Sequence, residues 1–364
     1  CPLCAMDESR STGSQFVINS MTRLTWTISL LSCIRLSGSA PQRRSPRVLM
    51  RSTAGESDKI INGDAVEAPS SDAPFFGLLT EGADSNTWLG CGATLISATY
   101  AMSAAHCFGG GHVPCDGPKK VALWFGDVEL ASSTNTIAPS RTKAGSTFRI
   151  EADLRCHPNW DGICSHGHDV VLLKLNSSKL PLPKWLVPVK LKINQDLAVQ
   201  PQTGDIVTTM GFGLMEGASP DTVGDLSPVL RKASVNLIDA TSTGCSQVYK
   251  GGYGCSDEAS EGPGKHADQQ LCAASDFAPG KDSCSGDSGG PLLDMEGMQI
   301  GIVSYGGGPG EKMKGPGRSC GDPNWPGFYS KVSAFRNFIV HWVSDLNTPL
   351  EEKHSAGHDN PSDD

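Results

Sequence analysis

Short apolar runs, separated by glycine, proline, asparagine and aspartate, fill most of the chain from Phe75 onward. Each run has the length of a β-strand, and the runs recur at the spacing that is typical of a barrel. The clearest runs are Phe75–Leu79, Ala93–Ala105, Lys120–Leu130, Val170–Leu175, Asp205–Met210, Leu230–Leu237 and Met298–Tyr305. This pattern predicts an all-β architecture.

One segment near the C-terminus has helical periodicity instead. Within Ser333–Leu346 the apolar residues fall on one face of a helix; they are Phe335, Phe338, Ile339, Trp342 and Val343. Pro349 would end this helix. The Pro-rich stretch Leu180–Pro188 contains no such periodicity, and we interpret it as the crossing between two halves of the protein.

Composition narrows the class of protein. The chain has 364 residues, of which 38% are hydrophobic and 19% charged, as in a globular protein. A net charge of −9 argues against a general nucleic-acid binder. The 13 cysteines favour an oxidising compartment. Because only Cys1-Pro2-Leu3-Cys4 has the paired spacing of a zinc ligand set, we expect no metal and no cofactor.

The two ends of the chain differ from its centre. Residues 1–40 form a leader in which Met21 and Arg23 precede a short apolar stretch and small residues, which together predict a secretory signal; the alternative is a leader without function. Residues 41–59 are polar and basic and are interpreted as a pro-segment. The tail 349–364 is acidic and is predicted to be disordered. We find no apolar run of roughly 18 residues, and therefore expect a secreted protein without a membrane span.

Three segments carry the candidate chemistry: Ser103–Cys107, His168–Leu175 and Gly280–Pro291, in that order. Together they resemble the trypsin/chymotrypsin family of serine proteases, in which His, Asp and Ser follow one another along the chain. The resemblance covers about residues 60–348. It implies two packed six-stranded antiparallel β-barrels, at about 75–180 and 190–332, and a C-terminal helix at 333–346.

The resemblance also assigns catalytic roles. Ser288 would attack the substrate, His106 would accept and return the proton, and Asp169 would hold the imidazole in one tautomer. The backbone N–H groups of Gly286 and Ser288 would form the oxyanion hole. Other residues of the same types compete for two of these roles: His166 and His168 for the base, and Asp282 and Asp287 for the acid.

Specificity is predicted from Asp282, six residues before Ser288. In trypsin-like members an acid at this position lies at the base of the primary pocket and pairs with a substrate Lys or Arg. Gly306 and Gly327 match the two wall positions that stay small for a long side chain, and Ser304 belongs to the same substrate-binding segment. The alternative for Asp282 is a solvated loop acid.

Activation has a signature of its own at Lys59-Ile60-Ile61-Asn62-Gly63. Cleavage after Lys59 would free the amine of Ile60, which would fold inward and pair with Asp287. The resemblance therefore implies an inactive precursor, and the preference for Lys makes self-activation a hypothesis.

Three disulfides are implied by the resemblance: Cys91–Cys107, Cys284–Cys320 and Cys245–Cys272, with Cys255 as a competitor in the last pair. The partners of four further cysteines stay open, because sequence alone does not determine connectivity. These are Cys115, Cys156, Cys164 and Cys255, among which Cys156–Cys164 is the short-range option.

We therefore predict a secreted serine endopeptidase zymogen that hydrolyses peptide bonds after Lys or Arg through an acyl-enzyme. The expected partners are protein or peptide substrates and protein protease inhibitors, without nucleic acid, and we expect a monomer. The alternative is a non-catalytic binding protein on the same fold. Retention of His106, Asp169, Ser288 and the activation junction argues against that alternative.

Overall fold

The computed structural model describes residues 61–109, 115, 120–131, 133–141, 146–194, 200–215, 225–239, 245, 267–276, 280–306 and 320–346. All of these belong to one compact unit, Gly55–Asp364. The predicted leader 1–40, the pro-segment 41–59 and the tail 349–364 lie outside the described residues. So do Lys59 and Ile60 of the predicted activation junction.

Six strands close the first barrel, and every pairing between them is antiparallel. In chain order they are β2 (Phe76–Thr80), β3 (Trp88–Leu95), β4 (Tyr100–Ser103), β5 (Lys120–Gly126), β8 (Thr147–Cys156) and β9 (Val171–Leu175). Around the barrel the order is β2-β3-β4-β9-β8-β5. Alternate side chains point inward, so Leu79, Leu95, Leu123 and Phe125 are fully buried in one core cluster.

The second barrel is built from the C-terminal half of the chain. Its strands are β10 (Ile206–Gly211), β11 (Arg231–Ile238), β12 (Gln270–Ala274), β13 (Pro291–Leu293), β14 (Gln299–Tyr305) and β15 (Gly327–Lys331). The sheet order β11-β10-β13-β14-β15-β12 is closed by the pairing of β11 with β12. The short strand β1 (Asp64–Ala65) adds to β11. The predicted pair of six-stranded barrels is therefore confirmed.

Short elements complete the described fold. They are the hairpin of β6 (Val128–Ala131) and β7 (Thr136–Pro139), a helical turn Pro69–Asp72, the 3-10 turns Ala105–Cys107, Cys164–His166, Ser177–Lys179, Ala267–Gln269 and Val332–Phe335, and the C-terminal helix Arg336–Trp342. Most of them connect strands, and two of them, Ala105–Cys107 and Cys164–His166, border the site described below.

The C-terminal helix is shorter than the predicted 333–346. It begins after a 3-10 turn and ends at Trp342, because the chain then folds back onto the protein. Val343 is buried, and Oδ1 of the buried Asp345 accepts a 3.2 Å hydrogen bond from the hydroxyl of Thr99. The end of the helix is thus set by tertiary contacts and not by Pro349.

Trp342 also departs from the predicted apolar face. Its side chain is 39% exposed, and the guanidinium carbon of Arg155 lies 5.6 Å from its ring centroid. Phe335, Ile339 and Val343 are buried as the periodicity predicts. The indole of Trp342 can occupy this partly exposed position because its aromatic face attracts the cationic guanidinium group of Arg155.

The segment after the Pro-rich stretch joins the two barrels. The N–H of Val189 donates to the carbonyl oxygen of Leu95 on β3, at 2.9 Å. One residue later the carbonyl oxygen of Lys190 accepts from Gln299 on β14, at 2.8 Å. The side chain of Gln299 in turn accepts a 2.8 Å hydrogen bond from Thr94, so buried polar groups at the junction are satisfied.

Disulfides link neighbouring segments of both barrels. The bonded pairs are Cys91–Cys107, Cys115–Cys156, Cys245–Cys272 and Cys284–Cys320. Cys164 is disulfide-bonded as well. The short-range option Cys156–Cys164 is therefore wrong: the end of β8 brings Cys156 to Cys115, which is distant in sequence but adjacent in the fold.

Candidate active site

His106 lies in the 3-10 turn Ala105–Cys107, directly after β4. Ala104 and Ala105 are fully buried and anchor this turn in the cores beneath it. On the other side, the disulfide from Cys107 to Cys91 ties the turn to β3. The imidazole is therefore held at the edge of the first barrel, with its side chain 10% exposed.

Asp169 immediately precedes Val170 and β9, and its side chain is fully buried. Its carboxylate meets His106 twice: Oδ1 accepts from the backbone N–H at 2.8 Å, and Oδ2 lies 2.8 Å from Nδ1. Oδ2 also accepts a 2.5 Å hydrogen bond from the hydroxyl of Ser304. Burial alone would raise the pKa of Asp169, but the charge and hydrogen bonds of His106, with that of Ser304, hold this pKa below its ordinary value. An anion at this place keeps the proton of His106 on Nδ1 and leaves Nε2 unprotonated.

Ser288 belongs to the loop that leads into β13 of the second barrel, and this loop packs against the first barrel. The carbonyl oxygen of Ser288 accepts a 2.8 Å hydrogen bond from the N–H of Gly92 on β3. The next residue, Gly289, has a φ of 77° and no room for a side chain, since a Cβ there would lie 2.2 Å from Oγ of Ser103. The loop is thus seated at the end of β4, beside the turn that carries His106.

The backbone N–H groups of Gly286 and Ser288 have no hydrogen-bond acceptor within the described part of the chain. Gly286 has a φ of 101°, a conformation that is readily open only to glycine. A Cβ at this position would also lie 2.8 Å from the ring of Trp88 and 2.9 Å from Cα of Gly213. Two unsatisfied N–H groups in one turn can bind a developing negative charge.

Asp282 is buried, so the alternative of a solvated loop acid is wrong. Its Oδ2 accepts a 3.0 Å hydrogen bond from the N–H of Gly321, whereas Oδ1 has no partner among the described residues. Burial raises the pKa of Asp282 to about 7 against the backbone hydrogen bonds of Gly321 and Ser283, and the charge of Asp287 adds to the rise. A buried carboxylate oxygen without a donor is costly and can bind a cation.

Glycines line the approach to this carboxylate. A Cβ on Gly327 would lie 3.3 Å from Oδ1 of Asp282, and a Cβ on Gly306 would lie 3.2 Å from Cα of Gly327. The rings of Tyr305 and Phe328 stack beside them, with centroids 4.8 Å apart. The two glycines are therefore in close contact with each other, and Gly327 lies next to the acid.

Asp287 lies beneath the same loop and is buried. Its two carboxylate oxygens accept hydrogen bonds from the backbone N–H groups of Gly213 and Cys284, at 2.8 and 2.9 Å. Burial nevertheless raises the pKa of Asp287 to about 7. Ile61, the second residue after the predicted cleavage site, is buried in a small cluster with Leu214 and Cys284.

The competing residues are placed elsewhere. His166 pairs through Nδ1 with Oδ2 of Asp161 at 2.7 Å, and the two side chains are 45% and 49% exposed. The ring of His168 stacks on that of His157, with centroids 4.8 Å apart. Neither histidine is bonded to the Asp169 carboxylate in the structure, which leaves His106 as its imidazole partner.

Two contacts of the site were not predicted from the sequence. The Ser304 hydroxyl binds the carboxylate of Asp169, whereas the sequence suggested only a substrate-binding role for Ser304. The sulfur of Cys164 lies 3.5 Å from Oδ2 of the same aspartate. Ser304 lies on a strand of the second barrel, far from Asp169 in sequence, whereas Cys164 lies five residues before Asp169 in the connection between β8 and β9, where no motif marks the contact.

Two groups of side chains have the proximity of metal ligands among the described residues: Cys91, His106 and Cys107, and His106, Cys164 and Asp169. Every cysteine in them is disulfide-bonded. Since the thiolate is the form of cysteine that binds metal, these groups do not fit a metal ion.

Comparison with known proteins agrees with this geometry. The family model Trypsin matches residues 60–339. The chain is 30% identical to phenoloxidase-activating factor 1 of Holotrichia diomphalia, over 78% of this chain and 70% of that protein. It is 27% identical to CLIP domain-containing serine protease B9 of Anopheles gambiae, over 68% of this chain and 54% of that protein. The structure of neuropsin, a serine protease expressed in the limbic system of mouse brain, superimposes with a TM-score of 0.52 at 25% identity and covers 76% of this chain and 99% of that one.

These matches define the class as the serine endopeptidases of the double-barrel fold. The chain belongs to the Trypsin family. It spans only about half of the length of the Anopheles relative. No helix within the described ranges is both long enough and apolar enough to cross a membrane.

Proposed function

We propose that this chain is the secreted zymogen of a peptidase that cuts after Lys or Arg and is activated by cleavage after Lys59. The observation that carries the specificity is the buried Asp282, whose Oδ1 has no donor among the described residues and lies beside Gly327. The polar contacts between Asp169 and His106 support the catalytic part of the proposal. Secretion is supported by the disulfides in both barrels.

The proposed reaction proceeds through an acyl-enzyme. The hydroxyl of Ser288 attacks the scissile carbonyl carbon while its proton moves to Nε2 of His106. The resulting oxyanion is bound by the N–H groups of Gly286 and Ser288. Collapse breaks the C–N bond, and the departing amine takes the proton from His106. Water then releases the acyl group by the same sequence of proton transfers.

Substrate choice follows from the charge and shape of the pocket. In this proposal a long cationic side chain lies alongside Gly306 and Gly327 and pairs with the carboxylate of Asp282. A cation lowers the pKa of that carboxyl because opposite charges favour the ionised form. A neutral side chain leaves the buried acid without a partner, and we therefore expect weak turnover of such substrates.

Activation is proposed to use Asp287. Cleavage after Lys59 creates an ammonium group on Ile60, and Asp287 is an acid whose pKa is raised by burial, so an opposite charge would stabilise its ionised form. The burial of Ile61 beside Cys284 directs the new terminus toward this part of the protein. Ion-pair formation would then stabilise the loop that carries Gly286 and Ser288.

The test is turnover of a peptide library by material that begins at Ile60. We expect cleavage after Lys and Arg, and no turnover by Ser288→Ala. The matched specificity variant, Asp282→Ser, should lose about 10³-fold in kcat/KM on basic substrates, as expected when one partner of a buried ion pair is removed. It should still be labelled at Ser288 by a covalent serine-protease probe.

The alternative function, a binding protein on the same fold, predicts a different outcome. In that case correctly cleaved protein would neither turn over peptides nor react with the probe at Ser288. If the probe reacts at Ser288 but peptides are cleaved without a preference for Lys or Arg, the peptidase function would stand and the proposed specificity would be contradicted. Appearance of Lys59 cleavage in pure Ser288→Ala precursor would exclude self-activation and require another protease.

A further inference from the structure

His157 contacts the chain on both sides of Asp169. Its backbone N–H donates to the carbonyl oxygen of Val170 at 3.2 Å. Its ring stacks on that of His168, with centroids 4.8 Å apart and an angle of 28° between the planes. Because His168 and Val170 flank Asp169, one residue brackets the aspartate that faces His106.

The backbone that His157 brackets has an unusual conformation. His168 has a φ of 61°, in the left-handed region that residues with a Cβ seldom occupy. The N–H of Val170 donates to the carbonyl oxygen of His168 at 2.8 Å, which closes a three-residue turn with Asp169 at its centre. This tight turn determines where the Asp169 carboxylate points, so contacts that stabilise the turn also orient that carboxylate.

A hydrogen bond of the His157 ring requires an uncharged imidazole. The N–H of Asn159 donates to Nδ1 of His157 at 3.2 Å. A backbone N–H can only donate, so this ring nitrogen acts as an acceptor. The side-chain amide of Gln269 contacts Nε2 of His168 at 3.3 Å. An imidazolium has no acceptor nitrogen, and proton uptake would break the contact.

The surroundings of the pair are aromatic. Phe335 and Phe338 place their rings at steep angles to that of His157, at centroid distances of 5.5 and 4.9 Å. Burial, followed by the neighbouring His168, lowers the pKa of His157 to about 4. The ionisable side chains on the adjoining segments include Asp153 and Arg155 on β8, Lys174 on β9, Asp268, Lys331, Arg336 and His341, with Asp161, His166 and Asp169 in the same connection as His157. Asp161 is paired with His166, and the charge of Asp268 acts on Lys331.

We propose that His157 is a positioning residue, which holds Asp169 against His106 through the uncharged stack with His168 and the backbone bond to Val170. The inference rests on the proposed peptidase function. Protonation of His157 would remove the hydrogen bond that it accepts from Asn159, and protonation of both rings would place like charges in contact. Activity should then fall more steeply in acid than protonation of His106 alone predicts.

Two variants of the activated enzyme distinguish the effect of the aromatic ring at residue 157 from the effect of its protonation. His157→Phe retains an aromatic ring that cannot be charged, and the exposed Asn159 can donate to water instead. We expect its kcat/KM at about pH 8 to lie within about twofold of the wild type. His157→Ala removes the stack, and its kcat should fall about tenfold while KM changes less than about twofold.

The pH profile is the decisive measurement. Protonation of one base lowers kcat/KM tenfold per pH unit, and a second linked proton makes the fall steeper. Below about pH 5 the profile of the wild type should therefore be steeper than that of His157→Phe, although Asp282 titrates equally in both. The matched control is His166→Phe, which changes the exposed histidine of the same loop and should keep the wild-type profile. Identical acid limbs for the wild type and His157→Phe would overturn the proposal.

Thermal unfolding keeps the two proposals distinguishable. The pKa of His157 in the folded protein lies below its ordinary value of 6.5. As pH is lowered, the unfolded chain therefore takes up a proton before the folded protein does, and the folded state loses stability between about pH 6.5 and pH 4. Both proteins in this comparison carry the inactivating change Ser288→Ala. The midpoint of thermal unfolding should fall further across this pH range for the protein that retains His157 than for the protein with His157→Phe. Equal falls would overturn the role of the pair. Failure of the wild type to cleave any peptide would instead refute the peptidase function.

Discussion

The hydroxyl of Ser304 binds Oδ2 of Asp169 at 2.5 Å, the same oxygen that lies 2.8 Å from Nδ1 of His106. Ser304 lies on β14 of the second barrel, and Asp169 precedes β9 of the first. This hydrogen bond therefore crosses between the barrels. It couples the orientation of the aspartate to the barrel that also carries Ser288.

Substitution of Ser304 by Ala should lower kcat about tenfold, because a lost hydrogen bond of about 1.5–3 kcal/mol to a charged group leaves Asp169 less well oriented. The pKa of Asp169 should rise in the variant, since the bond stabilises its ionised form. The control is Ser330→Ala, which removes a 2.9 Å bond to the backbone oxygen of the same residue. An equal loss of kcat in both variants would show general loosening and contradict a specific role for Ser304.

Binding of a small cationic inhibitor should depend on the protonation of Asp282. The pKa of this carboxyl is raised to about 7 by burial, and its neutral form cannot pair with a cation. The dissociation constant should therefore increase about tenfold per pH unit below about pH 7. Calorimetry on the wild type and Asp282→Asn checks this, since the variant should bind weakly at every pH. A pH-independent affinity of the wild type would argue that Asp282 does not contact the cation.

Folding stability should respond to Asp282 in the opposite direction. Its folded pKa lies above the ordinary value of 3.8, so the folded protein retains a proton that the unfolded chain releases. Stability therefore falls as pH rises between about 4 and 7. At about pH 8 Asp282→Asn should be more stable than the wild type, by on the order of 2–4 kcal/mol. Denaturant unfolding of uncut protein measures this difference, which should disappear near about pH 4.

The variant Asp287→Asn tests whether cleavage after Lys59 is sufficient to activate the enzyme when Asp287 is removed. The variant should still be cut after Lys59, but the new amine of Ile60 would find no buried anion. We expect kcat/KM to fall at least about 10³-fold, as when a buried pair loses one partner. N-terminal sequencing confirms the cut, and Asp294→Asn, which alters an acid paired with Lys192, serves as control. Full activity of cleaved Asp287→Asn would refute this mechanism of activation.

A glycine pair tests how closely the Ser288 loop packs. Gly289 and Gly297 have φ values of 77° and 75°, but only at Gly289 would a Cβ meet neighbouring atoms. Gly297→Ala should cost about 1–2 kcal/mol for the left-handed conformation alone and keep activity. Gly289→Ala should cost clearly more and abolish activity, because Ser103 and Gly92 cannot move without displacing β3 and β4. Similar unfolding midpoints and rates for the two variants would contradict this close packing.

The sequence predicted the all-β architecture because its short apolar runs and the turn residues between them match the strands and loops of the fold. Short apolar runs form strands such as β5 and β9, and the motif around Ser288 is by itself sufficient to indicate the family. The C-terminal helix was predicted too long because periodicity continues through Val343, whereas tertiary contacts of Val343 and Asp345 end the helix at Trp342.

Contacts between distant segments were harder to predict. Cysteine spacing left the partner of Cys156 open, and the suggestion of Cys164 was wrong because β8 ends beside Cys115. The bracket that His157 forms around Asp169 has no sequence signature. It depends on the pairing of β8 with β9 and on the left-handed backbone of His168.

The sequence by itself determined the family, the two-barrel fold and the residues that are candidates for each chemical role, because residue type and order along the chain carry that information. Only the tertiary structure decided which of the rival histidines faces Asp169, that Asp282 is buried with one oxygen that has no partner among the described residues, and that Ser304 binds Asp169 across the two barrels. Burial, hydrogen-bond geometry and the resulting pKa shifts arise from atoms that are far apart in sequence, and they exist only once both barrels have closed and packed together.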